Sequence, residues 1–185
     1  MVGRPRDDGE LVRRAQRGDV GAYEIIVARH QETAFRAAYL VTRNAADAQD
    51  ATQEAFLKAY AALGRFDAAR ALRPWLLRIV VNEARNRRRA EGRREHLAAR
   101  AAAQVSGEAA PSTETAALRS AETEALRGAV AALPERDRML IYLRYFLDLS
   151  EEETATVLGV RRGTVKSRTA RTLTRLRTRT EAGHG

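Results

Sequence analysis

The sequence predicts an all-α protein, two small helical domains joined by a flexible linker. Three observations carry that expectation. Alanine and leucine dominate the 185 residues, while glycine (12) and proline (4) are few, which is the composition of a helix former. Apolar residues recur every three to four positions through 10–94 and again through 118–176. Between them, 95–117 is low in complexity and is interrupted by Ser106-Gly107 and Pro111-Ser112, so it reads as a linker, helical at its start and acidic later.

Taken in order, 1–9 is polar and reads as a frayed end, and 10–17 is a short helix with Leu11, Val12 and Ala15 inward. Gly18-Asp19 breaks it. Residues 20–41 form a longer amphipathic helix on Tyr23, Ile26, Val27, Phe35, Ala38 and Tyr39, and 42–44 is a turn. In the next helix, 45–63, Ala48, Ala51, Ala55, Ala59 and Ala62 share one face, which allows close packing on a neighbour. Its far face holds Asp47, Asp50, Gln53, Glu54 and Leu57. A leucine among carboxylates suits docking to a basic partner. The alternative, that the acids only favour the helix start, explains Asp47 but not Glu54 or Leu57.

After a loop at 64–73, Pro74 suits the first position of a helix over 74–94. Leu76, Leu77, Val80 and Ala84 face inward. Trp75, Arg78, Asn82, Arg85, Asn86 and Arg89 lie on the other side, a set suited to single-stranded nucleic acid: bases stack, amides reach base edges and guanidiniums hold phosphates. Core packing for Trp75, and a generic basic helix end for Arg87, Arg88 and Arg89, stay open as alternatives. Beyond the linker, helical spacing returns over 118–133, and Pro134 opens a helix over 135–147 whose aromatics are expected in the second core.

The last stretch, SEEETATVLGVRRGTVKSRTARTLTRLRTR over 150–179, reads as two helices around a tight turn. Ser150 and Glu153 form an S-x-x-E capping box, Ala155 and Leu158 supply a short apolar stripe, and Gly159 ends the first helix. In the second, Val165, Thr169, Leu173 and Leu176 share an inward face, opposite Thr164, Ser167, Arg171 and Thr174, with Lys166, Arg168 and Ala170 on the flanks. From 161 to 179 there are eight basic residues and no acidic one, so a solvated face is a poorer reading than a DNA-reading helix.

Net charge of +9 favours an acidic polymer as partner. The absence of cysteine excludes disulfides, cysteine zinc sites and thiol chemistry. His30, His96 and His184 are far apart in sequence and form no ligand set. No apolar signal core opens the chain, and the greasiest run, 75–81, is broken by Arg78 and too short to span a bilayer, so the expectation is a cytoplasmic protein without membrane insertion.

Four stretches together resemble the bacterial RNA polymerase sigma factors of the extracytoplasmic-function type. DGELVRRAQRGDVGAYEIIVARHQETAFRAAYLVTRN at 8–44 resembles the family's first conserved segment, DAQDATQEAF at 47–56 its polymerase-binding signature, and RPWLLRIVVNEARN at 73–86 its promoter-melting helix. Residues 133–177, with LPERDR, LGV and GTVKSR, resemble its C-terminal domain. The resemblance implies sigma region 2 over 1–94, a linker over 95–117, sigma region 4 over 118–180 and a tail at 181–185. It implies that Asp47, Asp50, Gln53, Glu54 and Leu57 bind core RNA polymerase on helices of its β′ subunit, the β subunit being a further contact. The 66–73 loop, with Asn82, Arg85 and Asn86, would capture a flipped base and the melted strand of the −10 element, on the same helix face that carries Trp75, Arg78 and Arg89. At the −35 element Lys166, Ser167, Ala170 and Arg171 would meet bases, and Arg161, Arg162, Thr164 and Arg168 the backbone. Promoter DNA, an anti-sigma factor and a role in a stress or envelope response belong to the same expectation, which needs no cofactor and no metal. Free in solution, the linker would leave the domains unfixed or let them fold on each other.

The chain departs from the family pattern at Thr154 and Thr169, where aliphatic residues are usual, and at the small Ala170. Two other classes compete. A helix-turn-helix regulator that never joins polymerase leaves the acidic helix unexplained, and a DNA-acting enzyme needs a carboxylate–histidine cluster or a phosphate loop that the sequence lacks.

Overall fold

Alanine decides the packing of the first half. In the computed structural model, which describes residues 6–102 and 128–182 with side chains over 8–94 and 128–178, no strand occurs among the described residues. The helices are α1 (Arg6–Gln16), α2 (Val20–Thr42), α3 (Ala45–Leu63) and α4 (Leu72–Ala102). Ala48, Ala51, Ala55 and Ala59 of α3 are fully buried, and they meet Ala34, Ala37 and Ala38 of α2 and Val80, Val81 and Ala84 of α4. With no long side chain at these positions the three helix backbones approach closely, which offsets the scarcity of large core residues. Local signals set the ends. Asp19 Oδ1 accepts from Ala22 N at 3.0 Å to start α2, Arg43 closes it in the left-handed region (φ 57°), and Asn44 Oδ1 accepts from Ala46 N at 2.9 Å to start α3.

Two expectations about the first half are corrected. Residues 6–9 are helical, because Asp8 is tied down: its carboxylate lies 3.0 Å from His30 Nε2 and 2.7 Å from Arg29 Nη1. His30, which sequence left without a partner, is buried in this contact. The second correction concerns α4, which starts at Leu72, so Pro74 stands third; its missing N–H still falls among those that have no helical acceptor.

Burial alone would raise the Asp8 carboxyl, but the hydrogen bonds and electrostatics of His30 and Arg29 outweigh it and hold the group below its ordinary 3.8. A lowered folded value gives stability that is fully present above 3.8 and is lost as pH falls through the folded value. Asp8→Asn is therefore expected to destabilise the fold by about 1.5–3 kcal/mol at pH 7, the range for hydrogen bonds to charged groups. In urea melts the gap to wild type should shrink near pH 3; equal midpoints at pH 7 would contradict this.

The second half begins with a helical turn at 128–131, followed by α5 (Glu135–Ile141), a π-helical turn (Tyr142–Phe146), α6 (Glu151–Leu158) and α7 (Arg162–Ala182). The helix expected over 135–147 thus changes pitch, with Leu147 N bonding Tyr142 O at 3.0 Å, five residues back. Its aromatics are not the core. Tyr145 and Phe146 are exposed, and Tyr142 is half-buried, whereas Met139, Leu140, Ile141, Leu143 and Leu147 are buried. On α7 the inward face runs Val165, Thr172 and Leu176, with Thr169 half-buried; Leu173, expected inside, is 41 % exposed. The hydroxyls of Thr154 and Thr172 are buried without a hydrogen-bond partner, which costs stability. The predicted linker beyond Ala102, the start of the helix expected at 118–133, and His184 lie outside the described residues, as does the side chain of His96.

The two halves fold on each other. Met139, Leu143, Leu147, Leu149 and Val157 belong to the same apolar cluster as Leu76, Val80, Val81 and Ala84. Polar contacts rim this seam: Glu135 accepts from Arg85 Nε at 3.2 Å and Arg88 Nη1 at 2.7 Å, and Arg138 Nη2 donates to Leu40 O at 2.8 Å.

Candidate functional site

The carboxylate face of α3 is exposed as its spacing requires, but it is not bare. Arg87 Nη1 of α4 donates to Asp50 Oδ2 at 2.7 Å and lies 3.8 Å from Asp47 Oδ1, and Lys58 Nζ lies 3.4 Å from Glu54 Oε1. Such exposed pairs contribute under about 1 kcal/mol each, so a basic partner can replace Arg87 and Lys58 at small cost. Gln53 is exposed, and Leu57, one turn beyond Glu54 on the same face, is 66 % exposed.

On α4, Arg78, Asn82, Asn86 and Arg89 are exposed on one side. Trp75 is half-buried: its ring leans on Phe66 with centroids 4.6 Å apart, and it edges both apolar clusters of the first half. Core packing and an open ring edge therefore coexist in this residue. Trp75 and Arg78, with Arg65, Phe66 and Arg70 of the preceding loop, line a cleft of about 620 Å³. Its other wall is the start of α6, with Glu152, Glu153 and Thr156. Arg85 points to Glu135 rather than to solvent.

In the second half the capping box of α6 is complete: Ser150 N donates to Glu153 Oε2 at 2.8 Å and Glu153 N to Ser150 Oγ at 3.1 Å. Gly159 takes the left-handed conformation (φ 67°) that lets α7 leave at a sharp angle. Lys166, Ser167, Ala170 and Arg171 are exposed along α7, as are Arg161 and Arg162 at its start, and Thr164 is half-buried. Two assigned cations are engaged within the protein: Arg162 Nε lies 3.3 Å from Glu151 Oε2, and Arg168 Nε lies 3.8 Å from Asp137 Oδ1. Arg144, Arg162 and Lys166 line an open groove beside Ser150.

Sequence reasoning missed Glu135 and Arg138, whose partners Arg85, Arg88 and Leu40 stand about fifty residues or more away, where no local spacing announces a pair. It found Glu153 as a cap but not its place, with Glu152, on the cleft wall.

The sigma-70 region 2 family model matches residues 26–94 and the sigma-70 region 4 model residues 123–176. RNA polymerase sigma-H factor of Pseudomonas aeruginosa is 39% identical over 168 residues, 87% of each chain. The ECF RNA polymerase sigma-E factor of Escherichia coli K12 is 38% identical over 170 residues, again 87% of each. Among solved structures, CnrH in complex with the cytosolic domain of CnrY aligns with TM-score 0.68 at 27% identity, over 95% of this chain and 98% of that one. RpoE of Bartonella quintana, solved with the anti-sigma factor NepR, has the same fold at 23% identity and TM-score 0.63, over 86% of this chain and 96% of that one.

Proposed function

The chain belongs to the sigma-70 family of RNA polymerase sigma factors, in its extracytoplasmic-function branch, and from that premise we propose how its residues divide the work of recruiting core polymerase to promoters. Asp47, Asp50, Gln53, Glu54 and Leu57 form the handle that core RNA polymerase grips, with β′ as the main contact and β a further one. Trp75, Arg78, Asn82, Arg85, Asn86 and Arg89, with the 66–73 loop, hold the unpaired −10 strand. Lys166, Ser167, Ala170 and Arg171 read −35 bases in the major groove, while Arg161, Arg162, Thr164 and Arg168 grip the backbone. Region 2 spans 1–94 and region 4 spans 118–180.

The observation that carries this reading is the presence on one chain of three differently equipped faces: carboxylates around an exposed leucine on α3, an aromatic with guanidiniums on α4, and a cationic face on α7. A regulator working without polymerase has no use for the first. The protein makes and breaks no covalent bond; strand opening is driven by capture of the single strand, and catalysis stays with polymerase. Two weak readers held at fixed spacing by polymerase gain from effective concentration, and the phosphate contacts add steep salt dependence. The site of action is the cytoplasm. CnrH was solved with the cytosolic domain of CnrY, and by extension a protein partner, in this reading an anti-sigma factor, binds this chain too.

Purified protein added to core polymerase is expected to start RNA at discrete sites on a genomic library, which also reveals the promoter. Failure to support initiation on any template, with core polymerase competent, would overturn the assignment.

A further inference from the structure

We propose that Gln16, the last residue of α1, is a positioning residue for base capture: it clamps the backbone of the 66–73 loop and so sets how strictly that loop chooses its base. This rests on the assignment of the loop to the flipped −10 base. Gln16 Nε2 donates to Leu63 O at 2.9 Å and to Phe66 O at 2.7 Å. Two carbonyl acceptors fix the sense of the amide, since only its nitrogen carries hydrogens, and it carries two. Leu63 ends α3 and Phe66 opens the capturing segment, so one side chain spans the point where helix becomes loop.

A second touch point lies two turns earlier on the same stripe of α1, where Gly9, Val12 and Gln16 recur at i, i+3 and i+7. A Cβ at Gly9 would stand 3.1 Å from Ala68 O, closer than ordinary van der Waals contact, so the helix is seated directly on the loop backbone. Between these points Leu11, Val12 and Ala15 share an apolar cluster with Leu63, Phe66 and Leu72. Phe66 is thus fixed twice, by its carbonyl on Gln16 and by its ring against Trp75. Within the loop the bonds are short-range: Ala69 N donates to Asp67 Oδ1 and Arg70 N to Asp67 O, both at 2.9 Å. Those bonds shape the turn, and α1 places it. Arg65, Asp67 and Arg70, which line the cleft, take their positions from the segment so held. Placement matters because a site discriminates only when its groups are held to within about 0.5 Å.

The test uses the full chain with core polymerase and a promoter library randomised through the −10 and −35 elements, read out by in vitro transcription. Gln16→Glu puts an acceptor where two carbonyls need a donor, at the negative end of α3. It is expected to flatten the preference at the captured −10 base by on the order of fivefold, the fold-change of one net hydrogen bond, with −35 preferences unmoved. Gln16→Lys restores a donor that reaches both carbonyls and is expected to recover the preference. Gly9→Ala is expected to disturb the same base without lowering the thermal melt, because alanine favours the helix while its methyl presses on Ala68 O. Gln16 is exposed, so its substitution spares the core, and a circular dichroism melt checks folding. If Gln16→Glu lowers output on all templates alike and leaves base preferences as they were, its role is structural only and the proposal is overturned. Failure of Gln16→Lys to rescue overturns it too. Should Gln16→Glu not fold, an unchanged −10 preference in Gly9→Ala decides against the clamp. Asp67→Ala, inside the loop, tells the two readings apart. If it alters the −10 preference while Gln16→Glu does not, the loop assignment stands and the clamp falls. If neither alters it, the loop assignment fails and the clamp's role with it.

Discussion

Asp50→Arg combined with Glu54→Arg is expected to abolish capture of core polymerase in a pull-down while leaving the thermal melt unchanged. Both carboxylates are exposed and belong to pairs that the fold can spare. Arg87 retains Asp47 at 3.8 Å when Asp50 is reversed, and Lys58 retains Glu83 at 2.8 Å when Glu54 is reversed. The core beneath, Ala48, Ala51 and Ala55, is untouched. At the docking face, by contrast, two attractions to a basic partner become repulsions around Leu57. Losing one partner of a desolvated interfacial pair costs about 2–5 kcal/mol, so two reversals predict a loss of at least roughly a hundredfold. Recovery of polymerase at the wild-type level would sink the docking assignment.

The second large effect is expected at the other end of the chain. Arg171→Ala should erase the preference at one −35 base pair in a randomised promoter library read out by in vitro transcription. Arg171 is exposed on α7, and its described contact, Nε to Ser167 O at 3.3 Å, lies within its own helix. It is free to reach a base edge without first breaking a tertiary contact. A bidentate arginine–guanine pair is worth about 1–3 kcal/mol of discrimination, enough to flatten one position while leaving its neighbours intact. Arg168 is the instructive contrast, because Asp137 holds it and its loss should weaken binding to all sequences alike. Unchanged selectivity in the Arg171→Ala library would refute the assignment of that residue.

What the sequence made legible was local. The bounds of α3, the alanine stripe within it, the Ser150–Glu153 cap and the left-handed Gly159 all follow from neighbours within four residues, where helix period and capping chemistry act. The carboxylate face of α3 was legible for the same reason, since Asp47, Asp50, Glu54 and Leu57 recur at helical spacing. The pitch change at Tyr142–Phe146 was not, because it depends on how Leu147 and Leu149 enter the shared core rather than on propensity. It also turned Tyr145 and Phe146 outward. On α7, Thr172 rather than Leu173 faces in, so a smaller polar residue is buried while the leucine is exposed, against the hydrophobicity pattern. The Asp8–His30 contact and the Glu135 clamp join residues 22 and about 50 positions apart, beyond the reach of any periodicity.

The apolar seam also bears on the fate of surplus copies. Met139, Leu143 and Val157 lie against the first half, and separating the halves would wet them. A molecule standing open with no polymerase to cover it would show a greasy flank of the kind that invites aggregation, chaperone capture and proteolysis. Keeping the halves together keeps these side chains dry, so a variant that holds them apart is expected to be cut by a protease faster than the closed chain.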